Sequence, residues 1–315
     1  MSIPSGAMQA EAVKKYCLEH GCEVKEPYPG FIVAYKFDSC VLAGETKDLI
    51  SNLDSRLPVI GPNDEIVPGK LQWVTGQNVN LHYRGNELPR RKVWVQDGST
   101  EDNILVYSYT GWNNPIAFAT SDWNDDVYLK GVCEKYNAFA DACAFERANH
   151  TIITAYDDEH ANIGWHYDKM PSLSQTGGIA VVKMGEPRRF CLRKRILPNA
   201  EMEALKKKKK KSQEEDEYLT ELKKALTKEQ EEEAMIFDEV VPSGSLVFMT
   251  MEANYGTQHG VPEEAKDVGL SGSIVFRTVK DKRSVETIQK VTNKLHADRA
   301  SREIEKKQKK AKYGK

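Results

Sequence analysis

In the run GWHYDKMP, residues 164–171, a histidine and an aspartate stand two apart, at His166 and Asp168. In an extended segment residues i and i+2 project to the same side, so this pair directs an imidazole and a carboxylate toward one point. Two histidines and one carboxylate on one face of a metal, with the opposite positions open, are the ligand set of non-haem Fe(II) oxygenases. The third ligand has to come from elsewhere. His259 in GTQHGVP is the best candidate, because it follows the apolar run GSLVFMT and lies in a turn-rich stretch. In the next apolar run, GSIVFRTV, Arg277 carries a planar guanidinium that can grip a carboxylate through two hydrogen bonds. That suits a dicarboxylate co-substrate such as 2-oxoglutarate. Taken singly, each residue is weak evidence: a His-x-Asp pair arises by chance, His259 reads as a loop residue, and Arg277 reads as an ion-pair partner. Zinc hydrolysis also uses His and Asp ligands but gives Arg277 no task. The order carries the weight: His-x-Asp at a strand exit, two further strands, a third ending in His, and a strand bearing Arg. His20, His82, His150, His160 and His296 have no comparable setting and read as structural or surface residues.

Those residues need a scaffold of strands. From 70 to 111, β-like segments rich in Trp, Val and Tyr alternate with Gly, Asn and Asp turn signals. After a helical stretch at 125–145, strand-like runs return at 151–156, 177–185, 188–195, 244–250 and 272–279. Short strands separated by turns argue for a sandwich or barrel. Upstream, 11–20 and 46–56 read as short helices and 31–44 as strand-rich. One stretch interrupts the strands: residues 199–236 are nearly all Lys, Glu, Ala and Leu, with six lysines in a row at Lys206–Lys211. Acids and bases nearly balance there, which reads as a solvated helix or helical hairpin. The expected fold class is α+β, a double-stranded β-helix (jelly-roll) core with flanking helices, an N-terminal lid-like β region and a charged helical insertion. The expected division is an N-terminal helix/strand extension over 1–69, the main domain over 70–280 with the insertion at about 197–237, and a basic helical or disordered tail over 281–315.

The chain has 315 residues, of which 40% are hydrophobic, enough to bury a substantial core. Its net charge of -2 hides an asymmetry, for Lys280–Lys315 holds 13 Lys/Arg against 5 Asp/Glu. The body is acidic and the tail basic, and a basic tail suits phosphate backbones or a nuclear-import signal. The six cysteines form no CxxC pair. With no secretory signal they read as reduced thiols of an intracellular protein, nuclear or cytoplasmic. No apolar run is long enough for a transmembrane helix, so no membrane partner is expected.

Over roughly residues 70–280 the sequence resembles the AlkB family of Fe(II)/2-oxoglutarate dioxygenases. TIITAYDDEHANIGWHYDK resembles the family's strand, turn and His-x-Asp; VVKMGEPRRFCLR resembles the strand pair that follows; PSGSLVFMTMEANYGTQHGVP resembles the strand leading to the distal histidine; and SIVFRTV resembles the closing strand. The resemblance implies Fe(II) on His166, Asp168 and His259, and 2-oxoglutarate held by Arg277, Tyr156, Thr154 and Ser273. ELPRRKVWVQDG and VYSYTGW resemble the nucleotide-recognition lid of repair members. They imply substrate contacts from Tyr109, Tyr107 and Arg90, with Met170 and Arg188 also bordering the substrate. Three positions depart from the family pattern: Thr154 stands for an asparagine, Ser271 for an arginine, and Met170 for the acid that helps handle the damaged base.

The implied reaction consumes O2, converts 2-oxoglutarate to succinate and CO2, and hydroxylates an activated C–H bond. On an N-methyl group the hydroxymethyl product decomposes to formaldehyde and the free amine. The expected activity is oxidative demethylation or hydroxylation of methylated bases in DNA or RNA, by a monomer. Two other readings stand beside it. One is a dioxygenase hydroxylating a protein side chain or small molecule, favoured by Met170 and the acidic body. The other is a non-catalytic nucleic-acid-binding relative. Tyr107, Tyr109, Trp94 and Trp112 are candidate faces for a flipped base, with core packing as the competing assignment for at least half of them. Arg90, Arg91 and Lys206–Lys211 are phosphate contacts or solvated charge.

Overall fold

The structure is a computed structural model that describes residues 5–62, 64–67, 69–78, 87–98, 103–108, 116–118 and 121–313. In chain order the first elements are α1 (Gly6–Glu19), β1 (Glu23–Tyr28), β2 (Phe31–Tyr35), α2 (Phe37–Cys40), α3 (Leu49–Arg56), β3 (Val59–Ile60), β4 (Trp73–Val74), β5 (Arg91–Gln96), β6 (Ile104–Ser108), β7 (Ile116–Phe118), β8 (Ser121–Asp122) and α4 (Val127–Ala142). There follow β9 (His150–Tyr156), β10 (Ile163–His166), β11 (Ile179–Gly185), β12 (Arg188–Lys194), α5 (Ala200–Lys207), α6 (Gln213–Glu232), β13 (Met235–Val241), β14 (Leu246–Met249), α7 (Met251–Gly256), β15 (Thr257–Val261), β16 (Ser271–Arg277), β17 (Lys282–Arg283) and α8 (Val285–Tyr313).

The strands build a jelly roll. A major sheet runs β1-β2-β14-β11-β16-β9-β5-β4-β3, with β8 beside β5, and a minor sheet runs β10-β15-β12-β13. A third, three-stranded sheet runs β17-β6-β7, and its β6 packs into the core between the two larger sheets. The residues before 70 belong to this architecture: β2 pairs with β14 from Leu246↔Ala34 to Met249↔Phe31 and so extends the major sheet. All seven residues of β16 and of β9 are buried, as expected for strands covered on both faces.

Strand parity sorts the side chains into two cores. Ala180, Val182, Met184, Ile274 and Phe276 face a layer formed by α1, α3 and α4. Ile179, Val181, Val275 and Ile152 face the space between the sheets. On the helical side, α4 starts at Asp126, whose carboxylate accepts N–H bonds from Tyr128 and Leu129 at 3.1 and 3.0 Å. Its Tyr136 stacks on Phe276 with ring centroids 3.9 Å apart. Phe276 anchors β16 from behind, so its neighbour Arg277 is held facing the other way.

Three local expectations shift. The strand expected over 31–44 ends at Tyr35, because Lys36 adopts a left-handed backbone (φ 63°) and starts the short α2. Buried Asp38 then closes the turn by accepting the Thr46 N–H at 2.9 Å. The first helix begins at Gly6 rather than near 11, where Ser5 caps it. The charged insertion is a helical hairpin, α5 and α6, the second opened by a Ser212–Glu215 capping box. It ends sooner than expected, since Met235 and Phe237 already pair with β12. The hairpin is fixed to the minor sheet by Gln230, whose side chain accepts the Ile196 N–H at 2.6 Å and donates to the Lys194 carbonyl at 2.9 Å. After β17 the tail is the long helix α8.

Candidate active site

The two histidines face each other across a strand pair. β10 and β15 are antiparallel with His166 directly opposite His259, and their ring centroids lie 4.3 Å apart. Asp168, two residues past His166, brings its Oδ1 to 4.0 Å from His166 Nε2. The three offer ligand atoms that all lie within 4.8 Å of one another.

Each ligand is held by a neighbour. His166 Nδ1 meets the Gly164 carbonyl at 2.9 Å, which makes Nδ1 the protonated nitrogen and leaves the Nε2 lone pair toward Asp168. His259 lies flat against Phe190, with centroids 5.8 Å apart and planes 13° apart, and its buried Nδ1 has no hydrogen-bond partner among the described residues. Asp168 Oδ2 accepts from Arg277 Nε at 3.0 Å and Nη2 at 2.6 Å. Asn254 of α7 clamps the Asp168 backbone, accepting its N–H at 2.8 Å and donating to its carbonyl at 2.9 Å.

The electrostatics suit a cation. Burial would raise the Asp168 carboxyl, but Arg277 and the two histidines hold it down to about 2. Burial, reinforced by His259, lowers His166 to about 3, and burial lowers His259 as well. At neutral pH the cluster is therefore one carboxylate and two neutral imidazoles, the protonation states that bind a divalent metal. The donor set and the partnerless buried His259 nitrogen fit Fe(II).

The cluster borders a cavity of about 460 Å³, within the range of small-molecule sites. Of the residues expected on 2-oxoglutarate, Tyr156, Thr154, Ser273 and Arg277 all line it. Arg277, expected on the co-substrate's carboxylate, is engaged with the metal carboxylate, because the Asp168 loop folds back over the end of β16. Among the expected substrate residues, Arg90 lines the cavity and donates to the Asn162 carbonyl at 2.6 Å. Tyr107 lines it as well, but its hydroxyl accepts the Lys169 N–H at 2.6 Å and its ring lies 4.5 Å from the Arg277 guanidinium. It braces the metal loop.

Met170 and Arg188 do not line the cavity. Met170 is partly buried against the core between the sheets. Arg188 is fully buried and donates to the Asp158, Glu159 and Ala161 carbonyls, so it organises the turn before β10. Arg91 is taken by Asp54 and Asp157 and stacks on Trp73; Trp94 is core. Tyr109 and Trp112 lie outside the described residues. Sequence reasoning missed Asn254, Lys92 and Lys183. For the lysines a signal existed: each is a charged residue inside an otherwise buried strand, on the parity that faces the cavity.

The pattern of the 2OG-Fe(II) oxygenase superfamily matches residues 69–305. The chain belongs to that superfamily. Its members use Fe(II) and 2-oxoglutarate, and His166, Asp168 and His259 form a group that could hold the metal. A search of curated proteins returned no match. Among solved structures the chain is similar to one described as "The structure of OsALKBH1", at 13% identity over 81% of this chain and 100% of that one, with a TM-score of 0.37. The six cysteines, Cys17, Cys22, Cys40, Cys133, Cys143 and Cys191, are free thiols. No helix among the described residues is long and apolar enough to cross a membrane.

Proposed function

We propose that this oxygenase acts on a methylated base of DNA or RNA, removing or hydroxylating the methyl group, and that the base carries no positive charge. The observation that carries this reading is the position of the ELPRRK segment: Glu87, Leu88, Pro89, Arg90 and Lys92 border the same cavity as the metal ligands. A base must leave its stack to reach such a cavity, and Arg90 at its edge is placed for a phosphate or base contact. The charge of the base follows from the lining. Among the described lining residues Arg90, Lys92, Lys169, Lys183 and Arg277 are set against two acids, Glu87 and Asp168, and Met170, at the position of the family's base-handling acid, stands outside. Such a lining disfavours a cationic alkylated base and tolerates a neutral one.

Fe(II) and 2-oxoglutarate, when bound, supply the coupling of O2 reduction to hydroxylation of a substrate C–H bond. The chain's own residues hold and orient. Gly164 sets the His166 tautomer, Arg277 and Asn254 fix Asp168, and Tyr107 braces the loop that carries it. Val181, Val275 and Ile152 give the cavity an apolar band. The same cationic lining favours, as a second reading, an anionic small molecule.

The test is a panel of single-stranded oligonucleotides carrying neutral or cationic N-methylated bases, with succinate and formaldehyde as readouts. Turnover is expected on neutral bases. Turnover only on cationic bases would overturn the charge assignment. Succinate formation stimulated by an anionic metabolite and by no oligonucleotide would overturn the nucleic-acid reading.

A further inference from the structure

Four of the six cysteines gather where α1 ends: Cys17 and Cys22, with Cys40 at the end of α2 and Cys143 just past α4. The first two are brought together by the way the helix stops. Gly21 takes a left-handed backbone (φ 84°), its N–H donates to the Leu18 carbonyl at 3.1 Å, and the Cys22 N–H donates to the Cys17 carbonyl at 2.9 Å. This pair of bonds is the glycine helix stop that sets the residue after the glycine against one in the last helical turn, usually as an apolar contact. Here both residues are cysteines. The backbone bond holds them side by side, as a disulfide requires.

The side chains meet as well as the backbones. Cys22 accepts hydrogen bonds from the Cys17 and Cys40 thiols. The Cys17 thiol first, then Cys40 and His20, hold Cys22 below the usual thiol range against its burial. Cys17 is pushed up, by the same bond and by burial. One sulfur inclined to be a thiolate therefore lies beside one that keeps its proton, and the thiolate is the reactive form. The other buried thiols are engaged or inert: Cys143 donates to the Ala12 carbonyl at 3.8 Å, Cys191 donates to Asp238 at 3.3 Å, and burial pushes Cys133 up. Cys22 is 5% exposed and Cys40 is half-buried, so the cluster lies just beneath the surface.

We propose that Cys17 and Cys22 are a modification site, a dithiol that a hydroperoxide oxidises reversibly to a disulfide, on the helical side of the major sheet. The Cys22 thiolate attacks one peroxide oxygen; an S–O bond forms, the O–O bond breaks, and hydroxide leaves. The Cys17 sulfur then attacks the Cys22 sulfur of the sulfenic acid. An S–S bond forms, the S–O bond breaks, and the hydroxyl group leaves as water with the Cys17 proton. The two thiols lose two electrons and the peroxide gains them. A small thiol restores both by exchange. The site faces away from the cavity and is independent of the primary substrate.

The experiment uses full-length protein loaded with Mn(II), because Fe(II) would itself react with peroxide. The protein is treated with hydrogen peroxide, remaining thiols are alkylated, and disulfides are located by mass spectrometry of its peptides with and without a reducing agent. A Cys17–Cys22 disulfide is expected, and it should disappear on reduction. Cys17→Ser should stop the oxidation at the Cys22 sulfenic acid, trapped with dimedone, whereas Cys22→Ser should leave Cys17 a thiol. Cys143→Ser should still form the disulfide. In the reduced protein iodoacetamide should alkylate Cys22 at least about tenfold faster than Cys143. A disulfide from Cys22 to Cys40, dimedone on Cys17 in place of Cys22, or both thiols unchanged by peroxide would overturn the proposal. If a serine variant fails to fold, the map of the wild-type chain decides.

Discussion

The two ends of the cavity are built on opposite plans. At the metal end polar groups are tied to protein neighbours: Asp168 to Arg277 and Asn254, His166 to Gly164, and Lys169 to Tyr107. At the other end Lys183 is buried and makes no ion pair or side-chain hydrogen bond among the described residues, in the same cross-strand row as Ser273 and Thr154. The difference separates positioning from binding. A metal tolerates little error in ligand geometry, so its ligands are fixed in advance by a surrounding shell. A co-substrate that arrives and leaves with each turnover needs a charge that is satisfied only while it is present.

The comparison breaks first at the metal. His259→Ala should abolish turnover and weaken metal binding by more than the ~10–100-fold that loss of an outer-shell partner costs, measured by Mn(II) titration. Next comes the buried pair. Arg277→Met leaves the Asp168 carboxylate buried without its guanidinium, a loss of about 3–5 kcal/mol for a buried ion pair broken on one side. Bound metal replaces the missing positive charge, so Mn(II) should restore much of that stability in thermal unfolding. Asp168→Ala should be destabilised without any metal rescue, because the ligand itself is gone. Equal stability of Arg277→Met with and without Mn(II) would show that Arg277 does not serve the metal carboxylate. Asn254→Ala should cost less, about 1–3 kcal/mol, since it leaves the Asp168 N–H and carbonyl without their amide.

How much of this was legible follows from which distances along the chain mattered. The His-x-Asp pair is local and sits at a strand exit, so its geometry could be read directly. His259 could be placed because strand order in a jelly roll limits which strand lies beside β10. What Arg277 touches was not legible. Parity says it faces the cavity, but only the fold of the 167–171 loop decides whether a carboxylate from the chain or from a ligand gets there first. Asn254 lies 86 residues from Asp168 in a short helix with no pattern of its own. Arg188 looked like a substrate contact and proved to be a strut, because its guanidinium points under the turn at 158–161. Lys183 was visible in GGIAVVKMG as a charge among buried apolar neighbours, yet only the cavity shows why that burial is tolerated. The pairing of β2 with β14 joins residues more than 200 apart, and alternation within FIVAY says nothing about which strand it will find.

The co-substrate end carries the smallest expected effect and the one with a defined sign. There the expected partner of the distal 2-oxoglutarate carboxylate is Lys183, on the cavity wall. Burial, with Arg188 adding to it and Glu264 opposing it, lowers the Lys183 ammonium to about 8. The other groups near it, the Tyr156 ring and the Ser273 hydroxyl, carry no charge at that pH. Below about 8 the free protein already holds the proton, and 2-oxoglutarate meets a charged partner. Above it, binding has to take up a proton first, so affinity should fall as pH rises, at most about tenfold per unit. 2-Oxobutyrate, with no distal carboxylate, should lack this component, so the ratio of the two affinities isolates Lys183 from any titration at the metal end, which both acids share. In Lys183→Arg the guanidinium stays charged across this range, and the ratio should be flat. A ratio that is flat in the wild type, or that falls equally in the arginine variant, would place the titrating group elsewhere and remove the distinction between the two ends.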